Sequence, residues 1–375
     1  MLVCKKLLWM NPCCLALKDS LRFRLAEAFH TVTSPIRVNQ PLIDRTECVN
    51  FYFEDSVFTV EGKKVPNLIL KNYDFDELCI NRAKAILEFS IQEQRKIVLF
   101  YSGGADSTCV MSSFLLCSEL KIIKENIIVA LNQDSIEENP EFYKDIILKN
   151  GFQTVDVFDV CANSLPELAG SIFVSGDPGI SCTGLAPLKR LKDKIPGAKI
   201  DDSRCFYDLC RVYFEESCEA KNLPLEDTIQ HFLSISNTTA SNVGFNIDNI
   251  FDFKFWSNLN FRYLSNVYWM LVNMPLVLKN NQKGKEYWRK NFVPFYDTEE
   301  FQLWDFYNKD ITLKFLMSES DPQLYKPYHK RLINKVYNND EYTRLKGNVM
   351  SLRSMTVRSV SYIDENFIPG FYKTR

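Results

Sequence analysis

The segment KIVLFYSGGADSTCV (residues 96–110) joins an apolar run to residues that can bind an anion. Two glycines and several short polar side chains follow the run directly: Ser102, Gly103, Gly104, Asp106, Ser107 and Thr108. Glycine lets a backbone pass close to a ligand, and the first turn of a helix offers unpaired N–H groups and the positive end of a dipole. The hydroxyl groups add further donors. The pattern predicts a loop that holds phosphate groups.

Asp106 distinguishes this loop from the commonest phosphate-binding loops. A carboxylate inside an anion site repels phosphate unless it holds a bridging Mg²⁺ or caps the loop. The segment lacks the lysine and the four-residue spacer of G-x-x-x-x-G-K-[ST], and it lacks G-x-G-x-x-G. Either role is open to Asp106 at this point, and a Walker-type kinase or ATPase is disfavoured.

A second acidic cluster stands in NQDSIEENPE (residues 132–141). Asp134, Glu137 and Glu138 could position an amine or a second Mg²⁺. The same residues also fit a solvated acidic turn that leads into a helix capped by Asn139. We favour the solvated turn.

Three regions with different patterns must position these residues. Residues 1–73 hold short alternating apolar runs with a hairpin-like turn at 61–63, so we expect a small β-containing region. In residues 74–184 strands and helices alternate, which predicts an α/β domain with right-handed crossovers and a doubly wound parallel sheet. Residues 185–375 are aromatic, lysine-rich and of helical period, which predicts a mainly helical C-terminal region.

The middle region has the clearest element boundaries. The patterns predict strands at 96–101, 126–132, 154–160 and 171–176, and helices at 107–117 and 139–150. Pro140 fits the first turn of the second helix, and Asn150-Gly151 ends it. Ligands of a parallel sheet bind beyond the carboxyl ends of its strands, where the loop after the first of these strands would lie.

Composition and charge narrow the class of protein. The 375 residues are 46% hydrophobic and 25% charged, with a formal net charge of −2, as in globular proteins of one large or two smaller domains. The balanced charge argues against broad binding to a nucleic-acid backbone. No apolar stretch reaches the roughly 18 residues that cross a bilayer, so we expect no membrane association.

The twelve cysteines and three histidines have no metal-binding spacing. No C-x-x-C pair occurs, and His30, His231 and His329 are far apart. Cys109 and Cys117 stand in apolar contexts on one predicted helix, which is typical of buried, reduced thiols. Reduced thiols predict a cytoplasmic protein.

The hexapeptide SGGADS resembles the S-G-G-x-D-[ST] signature of the PP-loop ATP pyrophosphatases, the superfamily of asparagine, GMP, NAD and lysidine synthetases. The resemblance implies the adenine nucleotide alpha hydrolase fold and a loop that binds the triphosphate of ATP with Mg²⁺. It also implies that a substrate oxygen attacks the α-phosphate and pyrophosphate leaves. An amine then displaces AMP from the adenylated substrate.

Three further stretches resemble the synthetase domain of asparagine synthetase. They are 173–184 (FVSGDPGISCTG), 288–306 (WRKNFVPFYDTEEFQLWDF) and 325–336 (YKPYHKRLINKV).

The resemblance implies roles for single residues. Asp106 matches the Mg²⁺-binding aspartate, Asp177 an acidic residue that could act as base for the amine, and Lys326 the lysine that steadies pyrophosphate. Main-chain groups of 99–101 and 131–132, Leu131 among them, would hold adenine. Each of these residues also has a structural alternative: a turn residue for Asp177, a solvated lysine for Lys326 and sheet core for Leu131. Arg289 and Lys290 could contact phosphate or be solvated.

Two departures separate this chain from asparagine synthetase. Ile180 stands where the family has a second metal-binding aspartate, and Leu2 and Val3 precede Cys4 where the family's catalytic cysteine follows Met directly. About 73 residues are too few for a glutaminase domain. A separate glutaminase or another amine or ammonia donor would then be needed.

Three functions remain open. The first is an ATP-dependent ligase that adenylates a small-molecule or peptide carboxylate and forms an amide or C–N bond. The second is an enzyme that modifies tRNA or a nucleobase, which the balanced charge disfavours. The third is a nucleotide-binding protein that has lost catalysis.

Overall fold

The computed structural model describes residues 6–9, 44–46, 48, 50–53, 64–68, 73–161, 166–168, 170–177, 179, 185–220, 222–263, 291–318 and 321–345. The turn predicted at 61–63 lies outside these residues, as do Ile180, Arg289 and Lys290. Near the start of the chain, β1 (Lys6–Trp9) and β2 (Asn50–Phe53) pair in parallel, with Lys6 opposite Asn50.

Strands and helices alternate through the middle of the chain, as the sequence predicts. The elements are α1 (Phe75–Gln92), β3 (Ile97–Phe100), α2 (Ala105–Cys117), α3 (Leu120–Asn126), β4 (Ile127–Leu131), α4 (Gln133–Glu138), α5 (Pro140–Phe142) with a π-helical continuation (Tyr143–Leu148), β5 (Gln153–Asp156), α6 (Val157–Cys161), a 3₁₀ turn (Pro166–Leu168) and β6 (Ile172–Ser175).

The rest of the described chain is mainly helical, with one further strand. Its elements are α7 (Leu185–Lys194), a 3₁₀ turn (Ser203–Cys205), α8 (Phe206–Ala220), α9 (Leu225–Ser241), α10 (Ile250–Trp256) with a π-helical continuation (Ser257–Arg262), β7 (Phe292–Pro294), α11 (Glu299–Met317), a 3₁₀ turn (Pro322–Leu324), α12 (Pro327–Tyr337) and α13 (Asp340–Leu345).

Five strands form one sheet in the order β5-β4-β3-β6-β7, and all of its pairings are parallel. In β3 the side chains of Ile97, Val98 and Leu99 are fully buried, and every residue of β4 is buried. A continuous apolar run of this kind belongs to a strand covered on both faces. The predicted parallel sheet and the α/β class are therefore confirmed.

Of three further elements in this region, one begins where the sequence predicts and two differ from the prediction. The strand predicted at 154–160 ends at Asp156, because Val157 and Val160 are buried at the three-residue spacing of a helix, α6. The helix predicted at 139–150 begins as expected, with the Asn139 side chain accepting a hydrogen bond from the Phe142 amide. The turn expected around Asp134 is instead the helix α4, because Asn132 and Ser135 form a capping box.

The chain folds as two compact units, each made of separate stretches. One unit comprises 1–70, 181–266 and 305–317, and the other comprises 71–180, 267–304 and 318–375. This division differs from the three consecutive regions expected from the sequence. The strand β7 comes from the region expected to be helical, and it completes the parallel sheet. The unit that contains the sheet therefore extends beyond residue 184, where the predicted α/β region ends.

The core of the second unit joins the sheet to α1, α2, α11 and α12. Phe75, the first residue of α1, lies 4.7 Å from the Trp304 ring and 4.8 Å from the His329 ring, centroid to centroid. The cysteines that the structure describes, among them Cys79 and Cys109 in this core, are free thiols. Within the described part of the chain, no helix has the length and apolar character needed to span a membrane.

Candidate functional site

The glycine-rich loop lies at the carboxyl end of β3, the central strand of the sheet. From β3 the chain adds β4 and β5 on one side and then β6 and β7 on the other, so the strand order reverses at β3. In open parallel sheets a ligand binds in the crevice at such a reversal, where the loops after neighbouring strands diverge. The motif of residues 102–108 therefore stands at the position where this architecture binds ligands.

Hydroxyl groups of the loop stabilise its conformation through hydrogen bonds within it. The Ser102 amide donates to Ser107 Oγ at 3.1 Å, and the two serine hydroxyls are 3.0 Å apart. Ser107 Oγ also contacts the Gly104 carbonyl at 3.2 Å, and Thr108 Oγ1 the Gly103 carbonyl at 3.4 Å. Ser107 and Thr108 are buried, so their side chains support the loop in this structure. Gly104, at the start of α2, is partly exposed, and its amide donates to Ser102 Oγ at 3.4 Å.

Gly103 is the residue that the loop geometry requires. Its φ is +75°, in the left-handed region, and a Cβ placed on it would lie 2.4 Å from the Ser135 carbonyl oxygen and 2.8 Å from Glu138 Cβ. The acidic helix α4 thus packs directly on the loop. Gly104 has an extended backbone, and a Cβ there would meet nothing closer than 3.4 Å.

The loop after β6 closes on Asp106 from the other side. A Cβ on Gly179 would lie 2.9 Å from Asp106 Oδ2, and one on Gly176 would lie 3.1 Å from the Asp106 carbonyl carbon. Between these glycines stands Asp177, which is partly exposed and whose amide donates to Ser175 Oγ at 3.0 Å. The structure thus brings the loop of Asp177 against the loop of Asp106, as the stretch 173–184 predicted.

Asp106 and Lys326 are 220 residues apart in sequence and form an ion pair between Oδ2 and Nζ. Burial alone would raise the pKa of Asp106, but the Lys326 ammonium and the His329 imidazole outweigh it and hold that pKa well below its usual range. Burial alone would lower the pKa of Lys326, but the Asp106 carboxylate raises it well above its usual range. Both groups are therefore charged at neutral pH.

Lys326 reaches Asp106 from an unusual backbone conformation. It stands just before Pro327, the first residue of α12, with φ +46° and ψ +53°. A left-handed conformation is unfavourable for a lysine and persists where the surrounding structure enforces it. Here it turns the side chain towards the start of α2.

His329, to which the sequence motifs assigned no role, also faces Asp106. Its Nε2 atom is 3.2 Å from Asp106 Oδ1, and its side chain is only 3% exposed. Burial lowers the pKa of His329, more than the neighbouring carboxylate raises it. Because Lys326 precedes α12 in a left-handed conformation, helical spacing does not relate it to His329, and no signal in the sequence marked His329.

Tyr296 connects β7 to the same loop. Its hydroxyl donates to the Asp106 carbonyl at 3.2 Å, and the preceding amide, that of Phe295, donates to the Ser175 carbonyl at 2.7 Å. Burial raises the pKa of Tyr296, so its hydroxyl keeps its proton and remains a donor. The PFYD stretch thus contacts the loop that carries Asp106.

Leu131 and the predicted metal ligand Asp106 remain to be placed. Leu131 is buried in the core of the sheet, which is the structural alternative the sequence left open for it. Among the described residues, no group of three or more His, Cys, Asp and Glu side chains has the arrangement of a metal site. Mg²⁺ commonly uses one or two carboxylates together with water and substrate phosphates. Asp106, whose side chain is partly exposed beside the glycine-rich loop, fits one such ligand.

This geometry defines an α/β protein in which polar, glycine-containing loops meet at the carboxyl end of the central strand of a parallel sheet. Comparisons of the chain with protein-family models, with curated proteins and with solved structures find no match.

Proposed function

We propose that this protein is an ATP-dependent adenylating ligase of the PP-loop type. It activates a substrate oxygen as an AMP adduct, releases pyrophosphate and forms an amide or C–N bond. One observation carries the proposal: the SGGADS loop lies at the reversal point of the parallel sheet, and Lys326 contacts its aspartate. Asp106 thus belongs to the SGGADS motif and also forms the ion pair with Lys326.

The strand order supports a doubly wound fold of the adenine nucleotide alpha hydrolase type. Parallel strands are connected by right-handed crossovers. A sheet built outward from β3 in both directions then carries its crossover helices on opposite faces, as a doubly wound sheet does.

The residues at the crevice have complementary roles in the proposed reaction. The glycine-rich loop and the N-terminus of α2 receive the phosphates of ATP. Asp106 holds Mg²⁺, which neutralises charge on the phosphates when bound. Lys326 offsets the negative charge that develops on the departing pyrophosphate. Asp177, on the neighbouring loop, accepts the proton that the attacking amine loses.

The substrates follow from this chemistry. The adenylated partner is a small-molecule or peptide carboxylate, and the nucleophile is an amine or ammonia, which a separate glutaminase could supply. The net charge of −2 favours such substrates over a nucleic acid, whose binding depends on clustered basic residues. We place the reaction in the cytoplasm, where the free thiols of the chain remain reduced.

The proposal is tested by ATP–pyrophosphate exchange. The protein is incubated with Mg²⁺, ATP, labelled pyrophosphate, ammonium and mixtures of amino acids and dicarboxylic acids. We expect exchange with at least one mixture, and a loss of about 100-fold or more in Asp106→Asn, because the metal and the phosphates lose their shared ligand.

The matched control is Asp145→Asn, at an exposed aspartate after α5. It should exchange at the wild-type rate. Full exchange by Asp106→Asn would refute the role of Asp106. Tight ATP binding without exchange in any mixture would instead indicate a nucleotide-binding protein without this catalysis.

A further inference from the structure

The two oxygens of the Asp106 carboxylate have different partners. Oδ2 forms the ion pair with Lys326 Nζ. Oδ1 faces His329 Nε2 at 3.2 Å, yet the two atoms are not aligned as a hydrogen bond. Both atoms are buried, and neither has a hydrogen-bond partner elsewhere. The two atoms are thus within hydrogen-bonding distance of each other but do not form a hydrogen bond in this structure.

The His329 ring is the fixed member of this pair. The Phe75 ring lies 4.8 Å from it and the Tyr296 ring 5.7 Å, measured between centroids. Phe75 is in turn packed on Trp304 at 4.7 Å. Close packing of this kind restrains a ring, since any movement disturbs several neighbours. The carboxylate, with 28% of its side chain exposed, is the freer partner.

Lys326 has two possible partners in the proposed reaction. In this structure its ammonium contacts Asp106, and during catalysis it is expected to turn towards phosphate oxygens. The carboxylate then loses its restraint at Oδ2 when it must hold the metal. An imidazole at Oδ1 can keep the carboxylate in place, and it has no permanent charge that would compete with a cation.

We propose that His329 is a positioning residue that holds the Asp106 carboxylate in the orientation that binds magnesium with the nucleotide. The inference rests on the proposed function, because it concerns the same loop and the same metal. Partners of this kind fix the orientation of a metal ligand, and their loss typically lowers metal affinity by about 10–100-fold.

The test measures binding rather than turnover. Calorimetry gives the dissociation constant of α,β-methylene-ATP, which cannot be cleaved between those phosphates, with Mg²⁺ and with EDTA. We expect His329→Phe, which keeps an aromatic ring against Phe75 and Tyr296, to lose about 10-fold of the affinity gained from Mg²⁺. In EDTA it should bind like the wild type. His329→Gln, which keeps a neutral N–H donor, should recover most of the loss.

Two controls separate this effect from a general loss of structure. His231→Phe changes a histidine of α9 that packs on Phe232, and it should leave both dissociation constants unchanged. Thermal unfolding identifies any variant that does not fold. If His329→Phe fails to fold, His329→Leu replaces it, with the same expected result.

The outcomes for the two proposals differ. A wild-type protein that gains no affinity from Mg²⁺ would overturn the proposed function and this inference together. A wild type that gains affinity, with His329→Phe or His329→Leu gaining as much, would overturn the inference alone. If His329→Gln loses as much of the Mg²⁺-dependent affinity as His329→Phe does, this would also contradict the inference. The retained N–H donor of the glutamine should restore the contact.

Discussion

At the level of single residues, the candidate site depends on close backbone approach as much as on charge. Gly103 lies against α4, and Gly179 lies against the Asp106 carboxylate at distances that exclude a Cβ atom. These contacts explain why two glycine-containing loops can meet around one aspartate. The packing of these loops is therefore sensitive to a single added methyl group.

Gly103→Ala and Gly104→Ala form a matched pair. We expect Gly103→Ala to lower the free energy of unfolding by about 2–4 kcal/mol, because it combines a left-handed backbone with an overlap on the Ser135 carbonyl. Gly104→Ala has an extended backbone and open space, so its effect should stay within about 0.5 kcal/mol. Urea unfolding measures both. Equal values for the two variants would show that neither strain nor overlap is present at Gly103.

The sequence identified some site residues and missed others for a physical reason. Asp106 belongs to a contiguous motif, and Lys326 was found because a second motif resembles a known pattern. His329 and Tyr296 lie within two of the stretches that resemble asparagine synthetase, but nothing in those stretches marked either residue for a role. Their roles arise from packing between segments about 200 residues apart, which a single sequence does not specify.

At the level of elements, α12 carries His329 and begins directly after Lys326, so its attachment to α1 determines the geometry of the site. Arg331 of α12 contacts Asp76 of α1 at 2.9 Å, and Lys335 contacts the same carboxylate at 2.8 Å. The Asp76 side chain is 7% exposed, whereas both basic side chains are 48% exposed. Two cations thus compensate one buried carboxylate and fix α12 on α1.

The stability contributed by Asp76 should depend on pH. Burial would raise the pKa of Asp76, but Arg331 and Lys335 outweigh it, so the folded-state pKa lies below its usual range. The stabilisation is then complete above the unfolded-state pKa of about 3.9 and is lost as pH falls through the folded-state pKa. We expect Asp76→Asn to cost about 1–3 kcal/mol at pH 7 and progressively less below about pH 4.

Unfolding in urea at a series of pH values measures this difference. Glu88→Gln is the control on the same helix, since Glu88 pairs with Lys84 at 3.9 Å on the exposed surface and should contribute less than about 0.5 kcal/mol. A cost for Asp76→Asn that stays constant down to pH 2, or grows as pH falls, would contradict the assigned pKa direction.

Element boundaries were predicted best where local chemistry decides them. The Asn139 cap and the turn at Gly151, with φ +68°, follow from the side chains alone. The helix α4 was missed, because its acidic residues suggested a solvated turn while the capping box depends on how Asn132 and Ser135 pair.

At the level of the whole molecule, the sheet is assembled from distant segments. β3, β4 and β6 were predicted from their buried apolar runs. β7 was not, because three residues that include Pro294 are too short to display a period and lie in a region of helical pattern. Its position at the edge of the sheet, beside β6, is one where a proline is tolerated. The two discontinuous units follow from this long-range pairing, which composition does not reveal.

The central claim concerns which bond of ATP is cleaved, and labelled ATP tests it most directly. The protein is incubated with Mg²⁺, ammonium, a substrate mixture that supports exchange, and ATP labelled in the α-phosphate. We predict that the label appears in AMP and adenylated substrate, with pyrophosphate formed in equal amount. Labelled ADP with release of inorganic phosphate, lost in Asp106→Asn, would contradict the account.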